Sequence, residues 1–201
     1  MFFSDAGVIV DDQAVMARIR IRIDGLTAGE EYTVIYPYGI ETFEIGDDAG
    51  PGAAKGPGIS MTRDIGLVEP LFFEGPLKGD IGPFLVPVDY AGGPFISDGG
   101  LTEEMVTGSP LNVPGRNTNV FRIEGPGVGL SYPDHPCADL RPISPNPITG
   151  TNDCAESFLF SVMGQIATNF GAAIDRATYT KENGGTFVNV WANTVEGQNL
   201  V

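Results

Sequence analysis

The sequence predicts an all-β protein, an antiparallel β-sandwich or jelly-roll-like fold of many short strands joined by Gly/Pro-rich loops. Apolar and polar residues alternate at two-residue spacing in several segments, most clearly in "ARIRIRID" at residues 17–24. Twenty-eight glycines and 16 prolines interrupt these segments. Near the end of the chain, Asn183-Gly184 joins two alternating runs, which is a strong hairpin signal. The length of 201 residues fits a single domain over residues 1–201.

The first strand is predicted over residues 15–24. Its isoleucines point to one side and Arg18, Arg20 and Arg22 to the other, as in a half-buried strand. Residues 32–39 and 40–45 are predicted to continue as a meander, so that Glu41 or Glu44 faces the arginines. We interpret the arginines as the solvent-exposed face of the strand, and an anion-binding stripe is the alternative.

Four further strands are predicted in the middle of the chain. They cover residues 59–65, 83–88, 103–110 and 119–125. Pro87 assigns the second of these to a sheet edge, because proline has no backbone N–H to donate. The apolar run at 157–167 fits a strand or a helix, and the neighbouring strands favour a strand.

The two ends of the chain are predicted to be extended. A C-terminal hairpin is expected over residues 174–192, with the start of a second module as the alternative. Residues 1–14 and 194–201 have no strong pairing partner in this scheme, and we expect them to act as edge or exchange strands. Within the first tail, the candidate contact residues are Val8, Ile9 and Val10. Pairing within the same domain is the alternative.

The charge balance narrows the classes of partner. The net charge of −15 argues against a nucleic-acid partner, because phosphate binding needs clustered Lys and Arg. No apolar run reaches the length of a membrane span, and "MFFSDAGVIV" is not an export signal. Acidic side chains can bind calcium, so Asp47 and Asp48 are weak candidate ligands for a structural calcium ion. No other cofactor is expected.

The two cysteines, Cys137 and Cys154, are predicted to form a disulfide. They lie in the Pro-rich segment "SYPDHPCADLRPISPNPITGTNDCAES", and two thiols alone make a poor zinc site. A disulfide implies an oxidising compartment. Two free cysteines are the alternative.

Catalytic signatures are weak, and we predict that the protein is not an enzyme. His135 is the one histidine, and no GxSxG sequence is present. The turn "GPGVGLS" has glycine spacing but no following lysine, so it is not a phosphate-binding loop. Carboxylate pairs for glycan hydrolysis are expected by chance among 26 acidic residues. The aromatic candidates for sugar stacking are Tyr36, Tyr38, Tyr90, Tyr132 and Trp191, and packing in the core or in turns is the alternative for each of them.

Several strings occur in an order that resembles a group of large exported bacterial proteins. They are "ARIRIRID", "YTVIYPYGIETFEI", "TRDIG", "GDIGPFL", "EEMVTGSPLN", "NVFRIEGPGVG" and "LFSVMGQIA". The resemblance covers roughly residues 15–180, and the cysteine-containing segment looks like an insertion in the pattern. It implies export, a β-rich fold and a role at or outside the cell surface. It carries no known activity and no catalytic residue.

These observations predict an extracellular or cell-surface protein with a structural or interaction role. It is expected to associate with itself or with other surface proteins, as a self-assembling surface or filament subunit that uses β-strand addition. A secreted carbohydrate-binding module, with calcium as its ion, is the alternative. A glycan-degrading enzyme is the second alternative.

Overall fold

The computed structural model describes residues 16–46, 56–65, 81–93, 95–96, 101–145, 147–164, 172–182 and 185–194. Its regular structure is mostly β, in antiparallel sheets. The strands are β1 Ala17–Asp24, β2 Glu31–Tyr36, β3 Gly39–Glu44, β4 Gly58–Ile65, β5 Val86–Pro87, β6 Glu104–Thr107, β7 Phe121–Glu124, β8 Cys154–Ser157, β9 Leu159–Phe160, β10 Ala172–Glu182 and β11 Gly185–Thr194. A short helix, α1, covers Val128–Ser131, and a 3-10 turn covers Thr151–Asp153.

The described strands form four sheets. A four-stranded sheet has the order β3-β2-β7-β8, and a three-stranded sheet has the order β5-β6-β9. Two further pairs are β1-β4 and β10-β11. The two-residue strand β5 lies at an edge, as Pro87 predicts.

The first strand does not continue into the predicted meander. The β2-β3 hairpin forms as expected, but β1 pairs with β4 from Ala17 opposite Ile65 to Asp24 opposite Gly58. A Cβ atom at Gly58 would lie 2.2 Å from the Ile23 carbonyl oxygen, so glycine permits this close approach. The arginines of β1 therefore face β4, and the prediction that Glu41 or Glu44 faces them is wrong.

One hydrophobic cluster joins β1-β4 to the four-stranded sheet. From β1 it contains the three isoleucines at two-residue spacing, and from the four-stranded sheet it contains Tyr32, Val34 and Ile123. Ile59 of β4 completes this side of the core. The apolar side of the "ARIRIRID" alternation is therefore buried, as predicted from its period.

The predicted disulfide between Cys137 and Cys154 is present, with the two Cα atoms 5.8 Å apart. It ties residues 132–153, here called the cysteine loop, to the first residue of β8. The loop also covers the outer edge of β8, because Pro136 bridges to Ala155 and the Glu156 amide donates to the His135 carbonyl at 2.9 Å. The fourth strand of this sheet is thus closed to further pairing over these residues.

The apolar run at 157–167 is divided between two sheets. β8 ends at Ser157, whose hydroxyl oxygen accepts a hydrogen bond from the Leu159 amide at 3.2 Å. This local turn interrupts the strand, and β9 then pairs with β6. The predicted strand is therefore correct for β9, whereas residues 161–164 have no regular structure and 165–167 lie outside the described residues.

The C-terminal hairpin forms as predicted, although it is longer than residues 174–192. β10 and β11 pair from Ala172 opposite Thr194 to Glu182 opposite Gly185, with a β-bulge between Ile174 and Arg176. Within the described parts of the chain, no helix is long and apolar enough to cross a membrane.

Candidate interaction surface

The outward side of the three-stranded sheet is apolar. Met105 lies opposite Leu159 on β9, and the Val88 amide donates to the Met105 carbonyl at 2.9 Å. Because opposed residues in an antiparallel sheet share a face, Val88, Met105 and Leu159 form a row across the sheet. Their exposed fractions are 57%, 53% and 49%. With Val86, which is opposite Thr107, they define what we call the apolar face.

The opposite side of the same strands packs inward. Val106 and Pro87 are buried, and Phe160 is half-buried beside Glu104. An antiparallel sheet with one face on a core normally presents polar side chains on the other face. The apolar face departs from that rule, and a contiguous exposed apolar patch is typical of a contact site.

A groove of about 400 Å³ lies beside the three-stranded sheet, on the side of Phe160. Phe84 and Met163 stand at its rim with most of their side chains exposed. Tyr38 lines it as well, and its hydroxyl donates to the Pro83 carbonyl at 3.0 Å. Burial raises the pKa of Tyr38, so the phenol stays protonated and acts as a donor. Because none of the four residues that define the apolar face lines the groove, the two are separate features of the surface.

The arginines of β1 form a contrasting, polar face. Arg18 binds Asp64 on β4 through two hydrogen bonds, from Nε at 2.5 Å and from Nη2 at 2.9 Å. This contact lowers the pKa of Asp64. Arg22 donates to the Met61 carbonyl at 2.6 Å and to the Thr62 hydroxyl at 3.0 Å. Two of the three arginines are thus bound by their own sheet, which favours the solvent-exposed interpretation over the anion-binding stripe.

A buried ion network lies on the four-stranded sheet, on the side away from the hydrophobic cluster. Arg122 has only 1% of its surface exposed, and it donates from Nε to Glu124 at 2.8 Å and from Nη1 to Glu156 at 3.0 Å. Glu156 is its neighbour across β7-β8. Such a charge is tolerated in a protein interior because it is both paired and hydrogen-bonded.

The cysteine loop supplies the remaining partners of this network. Arg122 donates to the carbonyls of Asp139 at 2.7 Å and Arg141 at 3.1 Å. The Ala138 amide donates to Glu156 at 2.6 Å, and the Ser144 amide donates to Glu124 at 2.8 Å. The network therefore fixes the loop over the sheet, and its carboxylates are used by the protein's own donors.

Sequence reasoning missed this network. "FRIE" at 121–124 alternates as "ARIRIRID" does, with Arg122 and Glu124 on one side. The usable signal was a basic and an acidic residue two positions apart in a strand, followed by a long Pro-rich segment able to cover them. It did not reveal Glu156 as the second partner, because that contact spans 34 positions.

Two aspartates of the cysteine loop form hydrogen bonds and ion pairs that stabilise it. Asp139 binds Arg141 at 2.6 Å and Arg116 at 3.2 Å, and the Arg141 hydrogen bond holds the pKa of Asp139 well below its usual range. Asp153 accepts hydrogen bonds from the Thr149 hydroxyl and from the Gly127 amide, the latter at 3.0 Å. These contacts also lower the pKa of Asp153. Both carboxylates are stabilised in their charged form.

A smaller groove of about 190 Å³ lies at the end of β1. Phe121 and Tyr132 line it together with His135 and Arg22. The Tyr132 hydroxyl donates to the Asp24 carbonyl at 3.0 Å, which fixes the ring. Of the predicted sugar-stacking residues, Tyr132 is the one that lines this groove.

The other predicted site residues are scattered. Tyr36 is buried, donates to Glu41 and accepts from Arg63 at 3.3 Å, which fits the alternative of core packing and not an exposed contact residue. Tyr38 is half-buried in the larger groove, and the Tyr90 hydroxyl donates to the Gly93 carbonyl at 2.5 Å. The side chain of Trp191 lies outside the described part of the chain. So do five other predicted site residues: Val8, Ile9, Val10, Asp47 and Asp48.

The described residues contain no cluster of side chains suited to binding a metal ion. No group of three or more His, Cys, Asp or Glu side chains there is placed to hold a metal ion. The calcium ligands predicted at residues 47–48 stay a prediction.

Comparison with known proteins adds no further assignment. No protein-family model, no curated protein and no solved structure matches the chain.

Proposed function

We propose that this is an extracellular structural or interaction protein whose working surface is the apolar face. The observation that carries the proposal is the row formed by Val88, Met105 and Leu159, each about half exposed on the outward side of a sheet. Apolar side chains in such a row gain free energy when a partner removes them from water. The disulfide supports a location outside the reducing cytosol.

A β-sandwich is the proposed arrangement of the core. The support is the hydrophobic cluster in which side chains of β1 and β4 meet those of β2 and β7. In this arrangement the cysteine loop covers the outer side of the four-stranded sheet, and the three-stranded sheet presents the apolar face.

Face-to-face contact replaces strand addition in this proposal. The margins of the three-stranded sheet, β5 and β9, are each two residues long. Such short margins offer few backbone hydrogen bonds to an added strand. The apolar face offers side chains instead, so the contact energy comes mainly from burial.

Site-specific photocrosslinking in the producing cells tests the function. A photoreactive residue at position 105 is expected to give a discrete product of higher mass, whether the partner is another protein or the same one. The matched control places the same residue at position 40, because Ile40 is also an exposed apolar strand residue but belongs to β3. No product from position 105, or the same products from both positions, would overturn the proposal.

Carbohydrate binding is the second candidate function. It rests on the groove in which Phe121 and Tyr132 lie beside the hydrogen-bonding side chains of Arg22 and His135. Aromatic rings with polar neighbours are typical of small-molecule sites. Glycan-array binding that Tyr132→Ala abolishes would support this function, and the absence of binding across a broad array would remove it.

A further inference from the structure

We propose that Met105 is an oxidation site, and that its conversion to methionine sulfoxide by hydrogen peroxide releases the partner of the apolar face. The inference rests on the proposed function and names a means of regulating the same surface. In this reaction the thioether sulfur takes one oxygen atom from the peroxide, and the other oxygen leaves as water. The sulfur loses two electrons and the peroxide gains two, so the step needs no further reactant.

The chain offers peroxide no free thiol. Thiolates are the side chains that peroxide oxidises most readily, but both cysteines of the sequence are joined in the disulfide. Cys137 and Cys154 are also buried, so the disulfide is shielded from its surroundings. A disulfide fits a location away from the reducing systems of the cytosol. Oxidation by peroxide therefore falls on the methionine thioethers.

Exposure separates the described methionines into two pairs. Met105 is 53% exposed and Met163 is 79% exposed. Met61 is partly buried against the hydrophobic cluster, and Met16 is half-buried. Since oxidation follows the exposure of the sulfur, Met105 and Met163 should react first. Met163 lines the separate groove, so Met105 is the reactive methionine of the apolar face.

Met105 lies at the centre of the apolar face. It belongs to β6, the middle strand of the sheet, with Val88 on one side and Leu159 on the other. The other three side chains of the face, including Val86, are saturated hydrocarbons, so the face holds a single oxidisable group. A sulfoxide is polar, and an apolar partner would remove water from it without replacing the hydrogen bonds. One added oxygen atom therefore opposes the contact at its middle.

Peptide mass spectrometry and photocrosslinking of the full chain in the producing cells, with and without added hydrogen peroxide, test the inference. Sulfoxide should form at Met105 roughly ten-fold faster than at Met61. A photoreactive residue at position 88 should lose most of its crosslinked product once Met105 is oxidised, and methionine sulfoxide reductases should restore the product. Met105→Leu should keep the product under peroxide, whereas Met163→Leu, the matched control, should still lose it.

The outcomes separate this inference from the proposed function. A product from position 88 that persists when Met105 is fully oxidised overturns the inference and leaves the proposed function in place. Oxidation of Met105 no faster than that of Met61 has the same consequence. Loss of the product under peroxide in Met105→Leu shows that another oxidised group acts, which also overturns the inference. No product from position 88 even without peroxide contradicts the proposed function, and the inference fails with it.

Discussion

Arginines that alternate with apolar residues have opposite environments in β1 and in β7. Arg18, Arg20 and Arg22 are exposed on the side of β1 away from the core. Arg122 occupies an equivalent place in the alternation of β7, yet it is buried. The difference lies in what covers the strand, because the cysteine loop lies over the polar side of β7 and donates to the carboxylates of Glu124 on β7 and Glu156 on β8.

Alternation predicts a strand and its two sides, whereas the segments that cover each side decide what that side does. An uncovered polar side needs few specific partners, because water supplies them. A covered polar side must satisfy each charge within the protein. An uncovered apolar side, such as the apolar face, gains free energy when a partner removes it from water.

Removing the buried arginine is expected to have the largest effect on stability. Arg122→Met leaves Glu124 and Glu156 buried without their cation, so we expect a loss of about 3–5 kcal/mol in the free energy of unfolding. Arg20→Met is the matched control on β1, and it is expected to leave the urea midpoint unchanged. Equal losses in the free energy of unfolding for the two variants would show that burial does not make Arg122 more important for stability than Arg20.

Loss of the disulfide is expected to have the next largest effect. The double variant Cys137→Ser with Cys154→Ser should cost roughly 3 kcal/mol, because the bond closes a loop of 17 positions. The sheets should persist in circular dichroism, since the Arg122 network still holds the cysteine loop. Hydrogen exchange at the Ala138 and Ser144 amides should rise only moderately, and full exposure of both would show that the network cannot hold the loop alone.

Neutralising one acceptor of the network is expected to have a smaller effect. Glu156→Gln keeps an oxygen that can accept from the Ala138 amide but removes one charge beside Arg122. We expect a loss of about 1–3 kcal/mol by urea unfolding. Glu44→Gln, on the exposed end of β3, is the control that should show no change.

Acid should weaken the cysteine loop through Asp153. The Thr149 hydroxyl and the Gly127 amide lower its pKa in the folded state below the ordinary value of 3.8. Stability from this carboxylate is therefore complete above the unfolded pKa and is lost as the pH falls through the lower, folded value. Asp153→Asn should flatten the stability curve below about pH 4, and a curve that keeps its slope in this variant would contradict the expectation.

The surface ion pair of β1 and β4 should have the smallest effect. Arg18→Ala and Asp64→Ala, alone or together, are expected to leave the midpoint of urea unfolding within experimental error, since exposed pairs are screened by water and salt. A coupling in the double-mutant cycle as large as that between Arg122 and Glu156 would contradict the comparison.

The sequence was informative about local elements and less so about their partners. The period of Ile19, Ile21 and Ile23 predicted a buried side of β1, and Asn183-Gly184 predicted the C-terminal hairpin. The pairing of β1 with β4, which skips the intervening β2-β3 hairpin, depends on contacts between distant positions that no short stretch of sequence contains. Pattern alone suggested a simple meander.

The candidate surface was also beyond local patterning. "PFLVPV" and "EEMVTGSP" were predicted as strands, but which side of each would be covered depends on β9 and on the sheet's inward packing. The aromatic residues chosen from sequence gave Tyr36, which is buried. The exposed row instead consists of valine, methionine and leucine, which sequence reasoning assigns to a core.

Residue-resolved carbene footprinting of the dilute protein measures directly which side of each sheet is covered. We expect strong labelling at Met105, Leu159 and the β1 arginines, and protection at Arg122. Protection of Met105 and Leu159 in the dilute protein, or labelling of Arg122 to the level of Arg20, would contradict this expectation.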